Sequence, residues 1–253
     1  MKNSNYYSIQ LLLKIFLICF TSELSAESAY KKTIYNGFIN REMEKWGPVI
    51  QTIETTNPPT TLETKLELID YYYGYIGYLV KKKQYSIAEK LLVKGEILIN
   101  QVIKQSPKNA TAFSYLGAFI GYRIAISKFK AIYLGSQSTF YVNKAYELDP
   151  KNIQVNIDKG NILFFSPRIF GGDIEEALKY YLKAVKLIEI NKTTSQNWAY
   201  LNVLTNIGMA YEKLDQPHNA KLTYEKILSH EPNFYWVKVD LYPKFLVKQK
   251  NTN

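Results

Sequence analysis

Along its 253 residues the chain alternates between stretches where apolar side chains recur every three or four positions and short polar breaks. The clearest stretch is Leu204–Pro232, LTNIGMAYEKLDQPHNAKLTYEKILSHEP, with that spacing on both sides of a polar break at Asp215–Pro217. Apolar residues so spaced share one face of an α-helix, and the stretch predicts two amphipathic helices joined by a tight turn. Gly208 and Ala220 are small where the two helices must approach closely, while Tyr211, Tyr224 and Ile227 supply bulk. Pro232 ends the unit, since its ring clashes with a continuing helix.

Three similar helix pairs precede this one. IDKGNILFFSPRIFGGDIEEALKYYLKAVKLIE carries Gly160, Leu163, Ala177, Tyr181 and Ala184 in the same order. FSYLGAFIGYRIAISKFKAIYLGSQSTFYVNKAYELDP opens with Leu116-Gly117 and closes with Ala145 and Pro150. YYYGYIGYLVKKKQYSIAEKLLVKGEILINQVIKQSPKN carries Tyr85, Ala88 and Leu92, with Gly77 one place out of register and a long second helix before Pro107. The pattern resembles the tetratricopeptide (TPR) repeat, a helix–turn–helix with a period of about 34 residues. The resemblance implies an all-α fold, a right-handed superhelical solenoid of about four units, in which each unit buries a face that it could not bury alone.

Two units are stretched at the corner between their helices. Gly160 to Ala177 is 17 positions, against 12 for Gly208 to Ala220. Gly117 to Ala145 is 28 positions, so the second unit carries the larger insert, over Arg123–Ser138. The array is expected over 65–233. Before it, Tyr30–Trp46 reads as one amphipathic helix, and a Pro-containing loop at Thr55–Thr61 precedes a helix starting near Leu62, which makes 27–64 an N-terminal cap. After it, 234–253 reads as a closing helix broken near Pro243, with a tail.

The first 26 residues have the order of a secretory signal: an early Lys2, an apolar run from Leu11 to Phe20 interrupted by Lys14, then small residues at Ser25–Ala26. The expected product is exported, periplasmic or secreted, and tied to the envelope by no transmembrane span. Cys19 is the only cysteine and lies inside that run, so a mature chain has no disulfide and no thiolate chemistry. Net charge is +10, with the basic residues scattered and Lys81–Lys83 their densest run, which predicts a solvated basic surface and no nucleic-acid partner.

Candidate chemistry lies in the inserts. SPRIFGGD, Ser166–Asp173, has a proline to end one helix, two glycines to turn, and Asp173 with Glu176 to form a capping box on the next. The neighbouring insert occupies the equivalent corner, and together they bring Arg123, Lys128, Phe129, Lys130, Arg168 and Phe170 to one edge. Basic heads around aromatics suit an anionic, partly apolar partner. A phosphate cradle is disfavoured, since Asp173 repels one and no GxxxxGK[ST] occurs.

The stretch LGAFIGYR…SPRIFGGDIEEALKYYLKAVKL also resembles exported bacterial TPR-like proteins, including the T component associated with tripartite (TRAP) solute transporters. That resemblance implies a periplasmic, non-enzymatic partner of a solute-binding protein. In TPR arrays the first helix of each unit lines a concave groove. Taking Gly208 and Gly160 as equivalent puts Asn202, Thr205, Met209, Glu212 and Lys213, and likewise Gln154, Ile157, Asn161, Phe164 and Phe165, on that surface. The Lys/Asn set of chaperone-binding TPR clamps is not reproduced. The two histidines, His218 and His230, fall in a turn and at a helix end with no zinc spacing. The expectation is a non-enzymatic scaffold without cofactor or metal, binding another protein, or alternatively a transporter accessory that takes a small anionic or amphiphilic ligand.

Overall fold

The structure, a computed structural model, describes residues 29–250; the signal-like segment lies outside them. All regular structure among the described residues is helical. Four helix pairs form the array: α3 (Leu62–Lys81) with α4 (Tyr85–Gln105), α5 (Ala110–Ile126) with α6 (Ala131–Leu148), α7 (Ile153–Phe165) with α8 (Ile174–Ile190), and α9 (Trp198–Lys213) with α10 (Pro217–His230). An N-terminal pair, α1 (29–39) and α2 (Trp46–Thr56), precedes it, and α11 (Tyr242–Lys250) closes it.

The chain fixes where helices begin with short polar side chains. Asn109, Asn152, Asp173 and Asn197 each accept a backbone N–H two or three residues into α5, α7, α8 and α9. Each thereby satisfies a donor that has no partner inside its helix. The two Pro-Lys-Asn triplets are thus a stop followed by a start: proline breaks the old helix, asparagine caps the new one.

Close packing within a pair depends on the small residues that the pattern singled out. A Cβ on Gly160 would lie 2.4 Å from the Tyr181 ring, and one on Gly208 would lie 2.6 Å from that of Tyr224. In these two units, the third and fourth, the tyrosine of the second helix fills the notch left by the glycine of the first. The second unit does the same with Gly117 and Val142, and Ser138 there donates to the Gly117 carbonyl at 2.8 Å.

The two inserts fold differently. In the second unit, α5 runs nine residues past Gly117, against five past Gly208 for α9, α6 is four residues longer than α10, and a 3-10 turn at Lys128–Lys130 joins them. That corner therefore stands out by roughly 6 Å, at 1.5 Å per helical residue. In the third unit the helices keep ordinary lengths and all five extra residues enter the loop.

Two expectations at the ends need correction. Tyr30–Trp46 is not one helix: α1 stops at residue 39, Arg41 takes a left-handed conformation (φ 63°), and a 3-10 turn at Met43–Lys45 leads into α2. The break turns the fully buried Trp46 back under α1, where its Nε1 donates to the Ile34 carbonyl at 2.9 Å. At the other end the disturbance precedes Pro243 instead of cutting the helix at it. Trp236–Leu241 widens into a π-helix, as expected where proline cannot keep the α ladder, and α11 follows directly.

The main core runs continuously from Ile34 to Phe245, with a smaller cluster of Ala110, Phe113, Ala145 and Val155 beside it, and the ends of the array meet. Phe38 of α1 stacks on Phe234 at 5.1 Å, Tyr35 donates to Glu231 at 2.8 Å, and Arg41 pairs with Asp240 at 3.0 Å. Lys81 at the end of α3 lies over the Trp236 ring.

Candidate functional site

The inner face, formed by the first helices of the units, is where a groove was expected. Tyr73 of α3 points into it and is buried there, with its ring against Tyr115 and Tyr122 of α5 and Trp198 of α9. Its hydroxyl donates to Asp158 of α7 at 2.9 Å and receives Asn161 at 2.7 Å. Asp158 also accepts from Ser114 at 2.7 Å and from Gln154 at 3.0 Å. A second carboxylate, Asp70 of α3, accepts from Tyr115 at 2.8 Å and from Trp198 Nε1 at 3.0 Å, linking the first unit to the last. Trp198 packs in turn on Trp46 and Phe38.

Burial pushes both carboxyls up to about 6, against the opposing pull of their hydrogen-bond donors. Burial also raises Tyr73 and Tyr115 well above the usual phenol range, reinforced by the neighbouring carboxylates.

The residues expected on an open groove are therefore largely consumed by the fold. Ile157 and Phe164 are buried. Gln154 and Asn161 belong to the Asp158 network, where Asn161 also accepts from Tyr181 at 2.8 Å. Thr205 is fully buried, with its hydroxyl bonded to the Leu201 carbonyl at 2.7 Å. Asn202 and Met209 are half-buried, and Glu212 accepts from the Tyr224 hydroxyl. Only Lys213, over the Phe164 ring at 5.0 Å, and Phe165, edge-on to Phe164, are exposed.

The corner edge divides more sharply. Arg123 is not available as a clamp: its guanidinium forks onto Glu96 of α4 at 2.7 and 2.6 Å, a bidentate pair that raises it further above its usual range. In SPRIFGGD the backbone N–H groups from Phe170 to Asp173, those nearest the start of α8, are committed. Phe170 and Gly172 donate to Pro167, Gly171 to Arg168, and Asp173 to the Leu163 carbonyl. Gly171 adopts φ 85°, and a Cβ on Gly172 would collide with the Ser166 carbonyl, so both glycines are required by the turn.

The capping box is only half formed there. Asp173 Oδ1 accepts from Glu176 N at 3.0 Å, but the Glu176 carboxylate pairs with Lys179 and does not reach back. With those N–H groups committed, the loop is a capped corner and not an anion cradle.

Its side chains point outward. Phe129 is 87% exposed, Ile132 85%, Ile169 85% and Phe170 65%, with Lys128 and Arg168 exposed beside them and Lys130 half-buried. Ile132 and Ile169 were missed at the sequence level, although each sits within three residues of a named aromatic. Asp70 and Asp158 were missed too; their signal was a carboxylate directly after an inward-facing isoleucine, Ile69-Asp70 and Ile157-Asp158. Among the described residues no cluster of His, Cys, Asp and Glu could hold a metal, and no helix is long and apolar enough to cross a membrane.

Paired helices with glycine–tyrosine notches, repeated along the chain, are joined by an independent match: the tetratricopeptide repeat family matches residues 169–191 and 201–234. Tetratricopeptide repeats are thus present in the third and fourth units. The matched segments cover α8 and the fourth pair, and the stretched earlier TPR units fall outside them. Solved structures share the fold. A thermophilic TPR protein of Thermus thermophilus aligns over 86% of this chain and 99% of its own, at TM-score 0.56 and 12% identity. HusA, a haemophore from Porphyromonas gingivalis, aligns over 74% of this chain and 93% of its own, at TM-score 0.57 and 11% identity. The sequence matches no curated protein.

Proposed function

We propose that this TPR protein is a non-enzymatic scaffold of the cell envelope, exported by its N-terminal segment, that holds a partner protein on its outer surface. The observation that supports this most directly is the filled inner face. Tyr73, Trp198 and the two buried carboxylates occupy the space in which an open array would take a peptide, so recognition moves outside. The outer helix of the first unit offers a stripe for it, with Ile87, Val93 and Ile97 about half exposed on α4 beside Lys90. Such side chains, presented on a rigid helix, suit an apolar protein interface with a polar rim.

Cross-linked affinity capture from native envelope tests this, comparing wild type with a folded Val93→Glu, Ile97→Glu variant. A protein partner lost in the variant supports the reading. Recovery of no protein by the wild type, or an unchanged set, rejects it.

A second reading is a transporter accessory of the TRAP-associated kind that takes a small anionic, amphiphilic ligand. The likeness in fold to HusA, which is a haemophore, favours it, as does Arg168 beside Ile169 and Phe170. Titration with haemin, followed by its absorbance, is the probe: saturable binding weakened by Arg168→Ala and Phe170→Ala supports it, and a flat titration removes haem as the cargo.

A further inference from the structure

The three most exposed large apolar side chains among the described residues are Phe129, Ile132 and Ile169, and all lie on or directly beside two turns. Those turns are the corners of the second and third units, which the repeat topology sets side by side on one edge. Each is a 3-10 turn with basic and apolar residues in succession: Lys128-Phe129-Lys130 and Arg168-Ile169-Phe170. Among the described residues none of these three basic side chains has an ion-pair partner. No Asp or Glu occurs between Arg123 and Tyr146, or between Lys159 and Gly172, so both tips belong to wholly acid-free stretches in a chain of net charge +10.

We propose that these two tips dock the protein onto an anionic membrane surface, with Phe129, Ile132, Ile169 and Phe170 entering the acyl boundary and Lys128, Lys130 and Arg168 meeting lipid phosphates. The charge is complementary to such a surface, and positive heads beside apolar bodies match its layered chemistry. Shape separates a membrane from a protein here. A protein interface needs a face that its partner can mirror, whereas these side chains stand on projecting turns and are open on nearly all sides. A fluid bilayer closes around a projecting side chain without needing a matching surface. The second unit's longer helices carry its tip outward, which is what insertion requires. Neither tip is long, and stable attachment rests on both acting together, each raising the effective concentration of the other. The proposal extends the scaffold reading by saying where the scaffold sits, and the α4 stripe remains turned to a protein.

The test uses the chain from residue 27, which keeps every element of the described fold and omits the apolar N-terminal run. Binding is read by co-sedimentation with phosphatidylcholine vesicles, with and without phosphatidylglycerol, at low and high salt. Binding is expected only with the anionic lipid, weakened by salt, and lost by at least about tenfold in a Phe129→Ala, Phe170→Ala double variant. A Phe129→Trp reporter should shift its emission to the blue and be quenched by brominated lipid. No binding by folded wild type overturns the proposal, and so does equal binding by the double variant. So does an unquenched reporter, or loss of a captured protein from membrane-free extract on the same double substitution with vesicle binding unchanged. Failure here leaves the α4 capture experiment standing, since the two use different residues.

Discussion

The inner face and the corner edge draw on the same residue types, aromatics beside charged groups, with opposite results. Inside, the aromatic hydroxyls and indole N–H find carboxylates or carbonyls, as in Tyr73 with Asp158 and Trp198 with Asp70. At the edge, Phe129 and Phe170 have no polar atom to satisfy, and Lys128 and Arg168 have no carboxylate to meet among the described residues. A charged group beside a ring is therefore not by itself a binding signal. What separates the regions is whether the chain supplies the partner. Inside it does, because the array curls until its ends touch.

The hardest blow to that comparison is Trp198→Ala. It removes the indole on which Trp46, Phe38 and Tyr73 converge, and it strips Asp70 of a donor. A cavity of that size costs about 3–5 kcal/mol in comparable cores. Urea unfolding measures it. A loss below about 1 kcal/mol would mean that the ends do not hold each other and that the inner face is open in solution.

A subtler test uses pH. The folded Asp158 carboxyl titrates near 6, raised by burial, while an unfolded Asp titrates near 4. The folded state thus binds the proton more tightly, so stability from this group rises as pH falls from above 6 toward 4, and charging it at neutral pH is unfavourable. The effect is on the order of 2 kcal/mol. Asp158→Asn is the right control, because the Ser114 and Tyr73 hydroxyls and the Gln154 amide can all reverse their bonds, whereas the Trp198 N–H facing Asp70 cannot. Thermal melts between pH 7.5 and 5 should show a wild-type gain over the variant. Parallel profiles would mean that water reaches Asp158, and that the inner face is a groove after all.

These two residues also mark what the sequence could and could not carry. The helix pairs were legible because apolar spacing and the glycine–tyrosine notches are local; four units and both inserts follow from counting. The closure was not legible. That Tyr35 meets Glu231 and Phe38 meets Phe234 depends on accumulated curvature over four units, and no short-range pattern encodes it. Assigning Thr205 and Asn161 to an open groove left out the reach of α3 across the inner face, where Tyr73 meets Asn161 and Trp198. On the edge, sequence grouped Arg123 with Arg168 because both flank a corner. It could not see that the long α5 lays Arg123 against Glu96 of the preceding helix.

The third unit's corner gives the next largest effect. Asp173→Ala removes the cap of α8 and should cost about 1 kcal/mol, while Asp173→Asn keeps the acceptor and should cost less. Both are read by chemical denaturation. A full loss on Asp173→Asn would show that the charge near the helix N-terminus, and not the hydrogen bond, carries the stability there.

The smallest effect sharpens the comparison most, because it asks the edge to do nothing for the fold. Arg168→Ala and Phe129→Ala remove exposed side chains that make no ion pair or ring contact among the described residues, so stability should stay within about 0.5 kcal/mol of wild type. Arg123→Ala, on the same edge by sequence, should cost measurably more, since it leaves the half-buried Glu96 without its two-pronged partner. Denaturation midpoints for the three variants separate the residues that hold the corner from those that only extend from it. Should Phe129→Ala destabilise as much as Arg123→Ala, the tip of the second unit is packed in solution and is no docking element. If only Arg123 matters, then Phe129 and Arg168 contribute nothing to folding, and the function left to them is contact with something outside the chain.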